Sequence, residues 1–225
     1  MSNPGYRIRA KIERAPQELV DQFKGLPVAN IADTMNRLCC LDQGIKPYNK
    51  VKLLGVAFTV KAPSGDNLMF HKAIEMAEKG DIIMVDGEGC MTRSICGGLM
   101  IAEAAHKGIK GFVVDGCIRD VEDLEAMEEF SCYARGVQPN GPYKNGPGEI
   151  GYAINVGGQI VHAGDIVVGD ADGIAIIKKQ DAEDVLKKTL AFNEMEKKKM
   201  NNIMIGKADK RWVDETLAKN NCEMI

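Results

Sequence analysis

The stretch from Gly97 to Asp120, G-G-L-M-I-A-E-A-A-H-K-G-I-K-G-F-V-V-D-G-C-I-R-D, gathers residue types suited to holding a small anion beside a metal ion. Glycines immediately before a helix leave its first N–H groups open at the positive end of the helix dipole, which favours a carboxylate. Gly97 and Gly98 precede an apolar run from Leu99 to His106 that reads as such a helix. A strand then runs to Asp115-Gly116, and the next turn presents Arg119 and Asp120. That places a fixed cation beside a hard oxygen ligand at the carboxyl end of a strand, where α/β folds put ligands. On spacing alone, a surface Arg–Asp pair and a tight glycine turn fit equally well.

Other chemistries lack their residues. His71, His106 and His162 are scattered, with no H-E-x-x-H. There is no G-x-x-x-x-G-K-[ST] and no G-x-S-x-G. Gly87-Glu88-Gly89 imitates a dinucleotide fingerprint, but Thr92 stands where the third glycine belongs. Asp170 and Asp172 in G-D-A-D-G fit a hairpin turn better than a calcium loop, whose other ligands are missing. Asp66-Asn67 fits a helix N-cap before Leu68, and Asp115 either orients the Arg-Asp turn or simply ends its strand. Lys61, Lys72, Lys107 and Lys110 stand in charged surroundings that give an imine mechanism no support.

The elements that must position these residues alternate. Helical spacing is expected over Pro16 to Phe23, Val28 to Leu38, Asn67 to Glu78, Leu99 to His106 and Val121 to Glu128, with strands at Leu53 to Val60, Asp81 to Asp86 and Gly111 to Asp115. Strand–helix alternation with short connections predicts parallel pairing under helices, an α/β core. Gly136 to Gly151, rich in Gly, Pro and Asn, reads as a functional loop. Short strands separated by Gly and Asp-Gly turns follow at Tyr152 to Val156, Gln159 to His162, Ile166 to Gly169 and Gly173 to Ile177. A charged helix from Asp181 to Met200 and a polar tail, helical from Lys210 to Lys219, end the chain, flanking the core with helices at both termini.

With 225 residues, 45% hydrophobic and 27% charged, one domain over 1–225 is expected. A net charge of -3 argues against a nucleic-acid partner, and Lys197 to Lys199 beside Glu194 and Glu196 reads as a solvated helix face. No apolar run approaches the ~20 residues that cross a bilayer, and the first residues lack a signal peptide's apolar core, so no membrane association and a cytoplasmic location are expected. Seven cysteines without a C-x-x-C pair read as reduced thiols.

The Gly97–Asp120 string resembles the signature of the family that holds the RraA-like proteins and the 4-hydroxy-4-methyl-2-oxoglutarate aldolases, many of which also decarboxylate oxaloacetate. Val28 to Asp33, Gly55 to Val60, Gly65-Asp66-Asn67, Gly80-Asp81-Ile82 and Gly164 to Gly173 stand in that family's order, so residues 25 to 206 are covered and 207 to 225 form an extra tail. The resemblance implies a β/β/α core like swivelling phosphohistidine domains, assembled as a homotrimer or homohexamer. It also implies a class II, metal-dependent lyase that forms pyruvate from a small 2-oxo acid. Asp120 would bind the metal, Mg2+ or Mn2+, and Arg119 would contact the substrate. Backbone N–H groups of Gly97, Gly98, Leu99 and Met100 would hold its carboxylate. Glu196, with Glu194 as competitor, would reach a neighbouring subunit's site. The same family includes ribonuclease inhibitors, so a protein-binding regulator without a metabolic reaction is the rival expectation.

Overall fold

A computed structural model describes residues 3–223 and 225. From the amino terminus, β1 (Tyr6–Ile8) leads into α1 (Gln17–Asp21), α2 (Val28–Thr34), β2 (Lys46–Pro47), β3 (Leu53–Lys61), α3 (Leu68–Met76), β4 (Asp81–Cys96) and α4 (Gly98–His106). Next come β5 (Gly111–Ile118), α5 (Val121–Glu125), β6 (Ser131–Val137), β7 (Gly148–Ile150), β8 (Ile154–Val156), β9 (Gln159–Val161), β10 (Ile166–Asp170) and β11 (Gly173–Ile177). The helices α6 (Ala182–Met204) and α7 (Arg211–Lys219) complete the chain. The protein is a mixed α/β molecule with helices around a central sheet.

Strands β3, β4, β5 and β6 pair in parallel, as the alternation predicts. β3 is shared along its length: its first half pairs with β10 and its last two residues with β7, both antiparallel. Side chains alternate across a strand, and here the alternation sorts them into separate cores. Phe58, Val60, Ile83, Val85, Phe112 and Val114 face α3 and α4. Their neighbours Ala57, Ile82, Met84 and Val113 face the opposite way, against Val156, Val161, Val167, Ile174 and Ile176 of the second β layer. The outer face of that layer, through Ile166, Val168, Ala175 and Ile177, packs on α1, α2 and the start of α6.

Both hairpins match expectation. Gly157 and Gly158, at φ +54° and +80°, turn β8 into β9, the geometry that two-residue hairpins need. Asp170 and Gly173 pair across the Ala171-Asp172 turn, and Asp170 accepts from Asp172 N–H at 3.0 Å and Val28 N–H at 3.1 Å. Several boundaries differ. β4 runs to Cys96 rather than stopping at Asp86, through register shifts after Asp86 where Glu88 and Gly89 adopt positive φ. β5 therefore also extends, to Ile118, and β6 occupies 131–137, where no strand is expected from the sequence. The stretch imitating a dinucleotide fingerprint is thus strand and opens no helix. α6 ends four residues later than expected, at Met204, and α5 three earlier, at Glu125.

Candidate active site

The extended β4 and β5 end side by side, so the turns that leave them, Gly97-Gly98 and Arg119-Asp120, touch. Arg119 N–H donates to Cys96 O at 3.0 Å, and Asp120 Oδ2 accepts from Gly98 N–H at 2.9 Å. Asp120 holds φ 59° and ψ 41° immediately before α5, a conformation Asp tolerates better than most residues. A methyl group on Gly97 would lie 2.5 Å from Asp120 Oδ2 and 2.8 Å from Arg119 Cγ; only glycine admits these side chains so close to the α4 entrance. Arg119 and Asp120 are 43% and 46% exposed, with Nε 3.7 Å from Oδ2. Such an open pair stabilises little by itself and leaves both groups accessible.

Gly97, the N-cap residue of α4, has no side chain to cap the helix. Gly98 N–H is taken by Asp120, whereas the N–H groups of Leu99 and Met100 have no partner among the described residues. Of the four expected N–H groups, Gly97 to Met100, Gly98 is thereby lost to the cradle, because Asp120 competes for it. Their side chains diverge: Leu99 is 90% exposed, while Met100 is buried in the core and its sulfur accepts from Asn67 Nδ2 at 3.4 Å. Cys96 lies beneath the turn, and burial pushes its thiol well above the ordinary range. Asp123 Oδ2 would lie 2.9 Å from a methyl group on Gly98, on the side where Asp120 Cβ would lie 3.5 Å away. Two carboxylates thus border one glycine.

One wall comes from residues 138–146. Arg119 Nη1 reaches Pro139 O at 3.5 Å, and a methyl group on Gly141 would sit 3.2 Å from the same nitrogen. Arg93, Ser94 and Asn140, which motif reading passes over, fix this segment: Ser94 N–H and Oγ both donate to Asn140 O, and Arg93 Nη1 donates to Gly141 O at 2.9 Å. Asn140 falls in the loop that the sequence marks as functional, whereas Arg93 and Ser94 carry no signal because the apolar run that predicts β4 ends at Asp86. Asp66, rather than Asn67, satisfies Leu68 N–H, at 2.9 Å. Asn67 instead ties Ile95 O and Met100, and its buried Oδ1 has no partner.

Other sequence candidates fall elsewhere. Asp115 neither orients the Arg119-Asp120 turn nor ends its strand; it is bound by Arg135 and accepts Gly157 N–H at 2.7 Å. Glu194 and Glu196 lie on α6, whose buried residues pack in the core beyond the second β layer, so this subunit does not bring them to Arg119. Glu194 pairs with Lys197 at 2.6 Å, which holds its carboxyl below the ordinary range. Lys107 Nζ donates to the carbonyls of Ile74 and Glu75, both at 2.6 Å. No cluster of three or more metal-ligating side chains occurs among the described residues. A cavity of 780 Å³, lined by Tyr48, Lys50, Met127 and Tyr133, shares no lining residue with this site.

The family model for RraA-like proteins, described as Aldolase/RraA, matches residues 28–176, a span holding the whole Gly97–Asp120 string. The chain belongs to the RraA-like family. A Halalkalibacterium halodurans protein named "Putative 4-hydroxy-4-methyl-2-oxoglutarate aldolase" is 39% identical over 178 residues, covering 79% of this chain and 84% of the relative. Among solved structures, an uncharacterized Pseudomonas syringae protein superposes with a TM-score of 0.77 at 23% identity, over 86% of this chain and 96% of its own, a likeness of fold. The structure described as the RNA-processing inhibitor RraA from Thermus thermophilis gives a TM-score of 0.62 at 26% identity, over 67% of this chain and 92% of its own. The matched family span ends before α6, so Glu196 lies outside it. No helix of the described residues is long and apolar enough to cross a membrane.

Proposed function

We propose that this chain is a divalent-metal-dependent lyase that cleaves a carbon–carbon bond of a 2-oxo acid to release pyruvate. The substrates would be of the 4-hydroxy-4-methyl-2-oxoglutarate type, by retro-aldol cleavage, or oxaloacetate, by decarboxylation. The observation that carries this reading is the convergence of Arg119, Asp120 and the unpaired N–H groups of Leu99 and Met100 at one open turn. The aldolase name of the 39% identical relative supports it.

The carboxylate of a 2-oxo acid matches the two N–H groups at the positive end of α4. Arg119 would lie beside the keto oxygen, where cleavage leaves an enolate. A fixed donor aimed at developing negative charge is typically worth ~3 kcal/mol. The donor set suits Mg2+ or Mn2+: such ions use one or two carboxylates and keep several waters, rather than needing a cage of protein ligands. Asp120 would hold the ion with the oxygen that Gly98 leaves free, and Asp123 is the second carboxylate within reach of that glycine. When bound there, the ion supplies Lewis-acid stabilisation to the keto oxygen. No lysine imine is needed, and Lys107 is turned to backbone carbonyls.

Proton transfer for the retro-aldol step is assigned to Glu196 of a neighbouring subunit in a homotrimer or homohexamer, with Glu194 the less suited because Lys197 occupies it. The exposed apolar residues Met200, Ile203, Met204, Trp212 and Leu217 along α6 and α7 support assembly. The β/β/α layering is consistent with a swivelling-domain classification, and the chain's location is proposed to be the cytoplasm.

The test is pyruvate release from both substrates, corrected for decay caused by the metal alone. Wild-type protein with Mg2+ should exceed that blank, EDTA should abolish the excess, and Arg119→Ala should lower it by about 10²- to 10³-fold. Wild-type protein no faster than the blank on either substrate would defeat the reading. The likeness to an RNA-processing inhibitor would then favour the second reading, a protein-binding regulator.

A further inference from the structure

Asp66 is 4% exposed, and no lysine or arginine among the described residues pairs with it. Its charge is met by backbone donors alone: Leu68 N–H at 2.9 Å on Oδ1, with Asn145 N–H at 2.6 Å and Gly146 N–H at 3.1 Å on Oδ2. Hydrogen bonds to an ionised acceptor are roughly twice as strong as neutral ones. One buried carboxylate therefore joins the start of α3 to the far end of the segment that walls Arg119. The near end is held by Arg93, which donates to Gly141 O and to Tyr143 Oη, both at 2.9 Å, with its guanidinium 4.2 Å from the Tyr143 ring centroid. Between the anchors, Tyr143 N–H donates to Gly65 O at 2.8 Å and Asn67 N–H to Tyr143 O at 3.0 Å. The wall that results presents Pro139 O and Gly141 to Arg119.

We propose that Asp66 is a positioning residue: by pinning 145–146 it sets the 139–146 wall, and the wall sets the place of the Arg119 guanidinium. The inference rests on the reading above in taking Arg119 as the group that meets the substrate. Asp66 itself does not contact substrate. Helix capping alone would make it a stability residue, with no effect on ligand affinity. The two roles separate because serine can still cap Leu68 N–H, while its shorter side chain does not reach Asn145.

The experiment compares wild type, Asp66→Asn, Asp66→Ser and Arg93→Lys. It measures backbone amide exchange, the affinity for oxalate with Mg2+ by calorimetry, and KM and kcat for pyruvate release. Thermal melting establishes that each variant is folded. Expected are faster exchange confined to 139–146 in all three variants, and oxalate binding weaker by about 10- to 100-fold, the worth of one or two hydrogen bonds to a charged group. KM should rise by a similar factor while kcat moves less. Folded Asp66→Asn and Asp66→Ser proteins with wild-type exchange and wild-type oxalate affinity would overturn the inference, whatever the turnover. Wild-type protein that binds oxalate but releases no pyruvate would defeat the lyase reading alone, with the affinity ratios still deciding on Asp66. A wild-type protein that binds no oxalate would overturn both.

Discussion

At Gly97, a methyl group would occupy space already filled by Asp120 Oδ2 and Arg119 Cγ, at 2.5 and 2.8 Å. The backbone there is extended, φ -157°, a conformation alanine adopts freely. Gly97→Ala should therefore displace the two side chains without straining the chain, and misplacement of about 1 Å at a reacting centre can cost on the order of 10²-fold in rate. The expected result is that loss in kcat/KM with a melting temperature close to wild type, checked by steady-state kinetics and calorimetry. At this scale Gly97, Gly98, Arg119 and Asp120 were legible because glycine, guanidinium and carboxylate each answer a chemical need that shows in the residue type. Arg93 was not, since an arginine holding a carbonyl looks in sequence like any surface charge, and Asp66 showed only as a helix cap before Leu68, not as the holder of residues 145–146. Only the approach of residues about 50 to 80 positions apart gives them their roles.

The elements that bring Arg119 and Asp120 to Gly98 are β4 and β5, and their first halves follow directly from apolar, β-branched runs: residues 82–85 of β4 are buried, as are all eight of β5. The second half of β4 was hidden by Gly87-Glu88-Gly89, which imitates a dinucleotide fingerprint after a strand ending at Asp86 and is in fact an irregularity that the strand passes through. β6 was hidden by Arg135 in its middle, a residue compatible with a central strand only because Asp115 and Asp42 receive its guanidinium. A comparable device seats the amino-terminal segment. Arg14 donates to both oxygens of Asp81 at 2.8 Å, and Asp81, at the first position of β4, is 1% exposed. Glu78 N–H also donates to Asp81 Oδ2, at 2.8 Å, so losing the arginine leaves a buried charge partly met, at a cost of about 3 kcal/mol, the lower end for a broken buried pair. Arg14→Ala should lower unfolding free energy by about that amount in urea titrations, and Arg14→Ala with Asp81→Asn should recover part of it.

On the scale of the molecule, the site belongs to the face formed by α4, α5 and the 139–146 wall, and Glu196 to the opposite flank. The alternation of strand and helix spacing made the α/β class legible, and the Gly and Asp-Gly turns the hairpins, whereas the distance between Glu196 and Arg119 within one subunit depends on how the layers stack, which no local pattern encodes. If Glu196 serves a neighbour, mixing inactive Arg119→Ala with inactive Glu196→Gln protein should restore activity in assemblies where intact halves of a site meet, and light scattering should give a mass of three or six chains, not the 24.5 kDa of one. The central claim, that Asp120 holds a divalent ion for carbon–carbon cleavage, is met most directly by pyruvate release as a function of Mg2+ concentration in wild type and Asp120→Asn, with Mn2+ run in parallel. Saturable, metal-dependent turnover in wild type and a half-saturating Mg2+ concentration raised at least about tenfold in the variant, as loss of a charged ligand requires, is the predicted result. An identical metal dependence in the two proteins would contradict it.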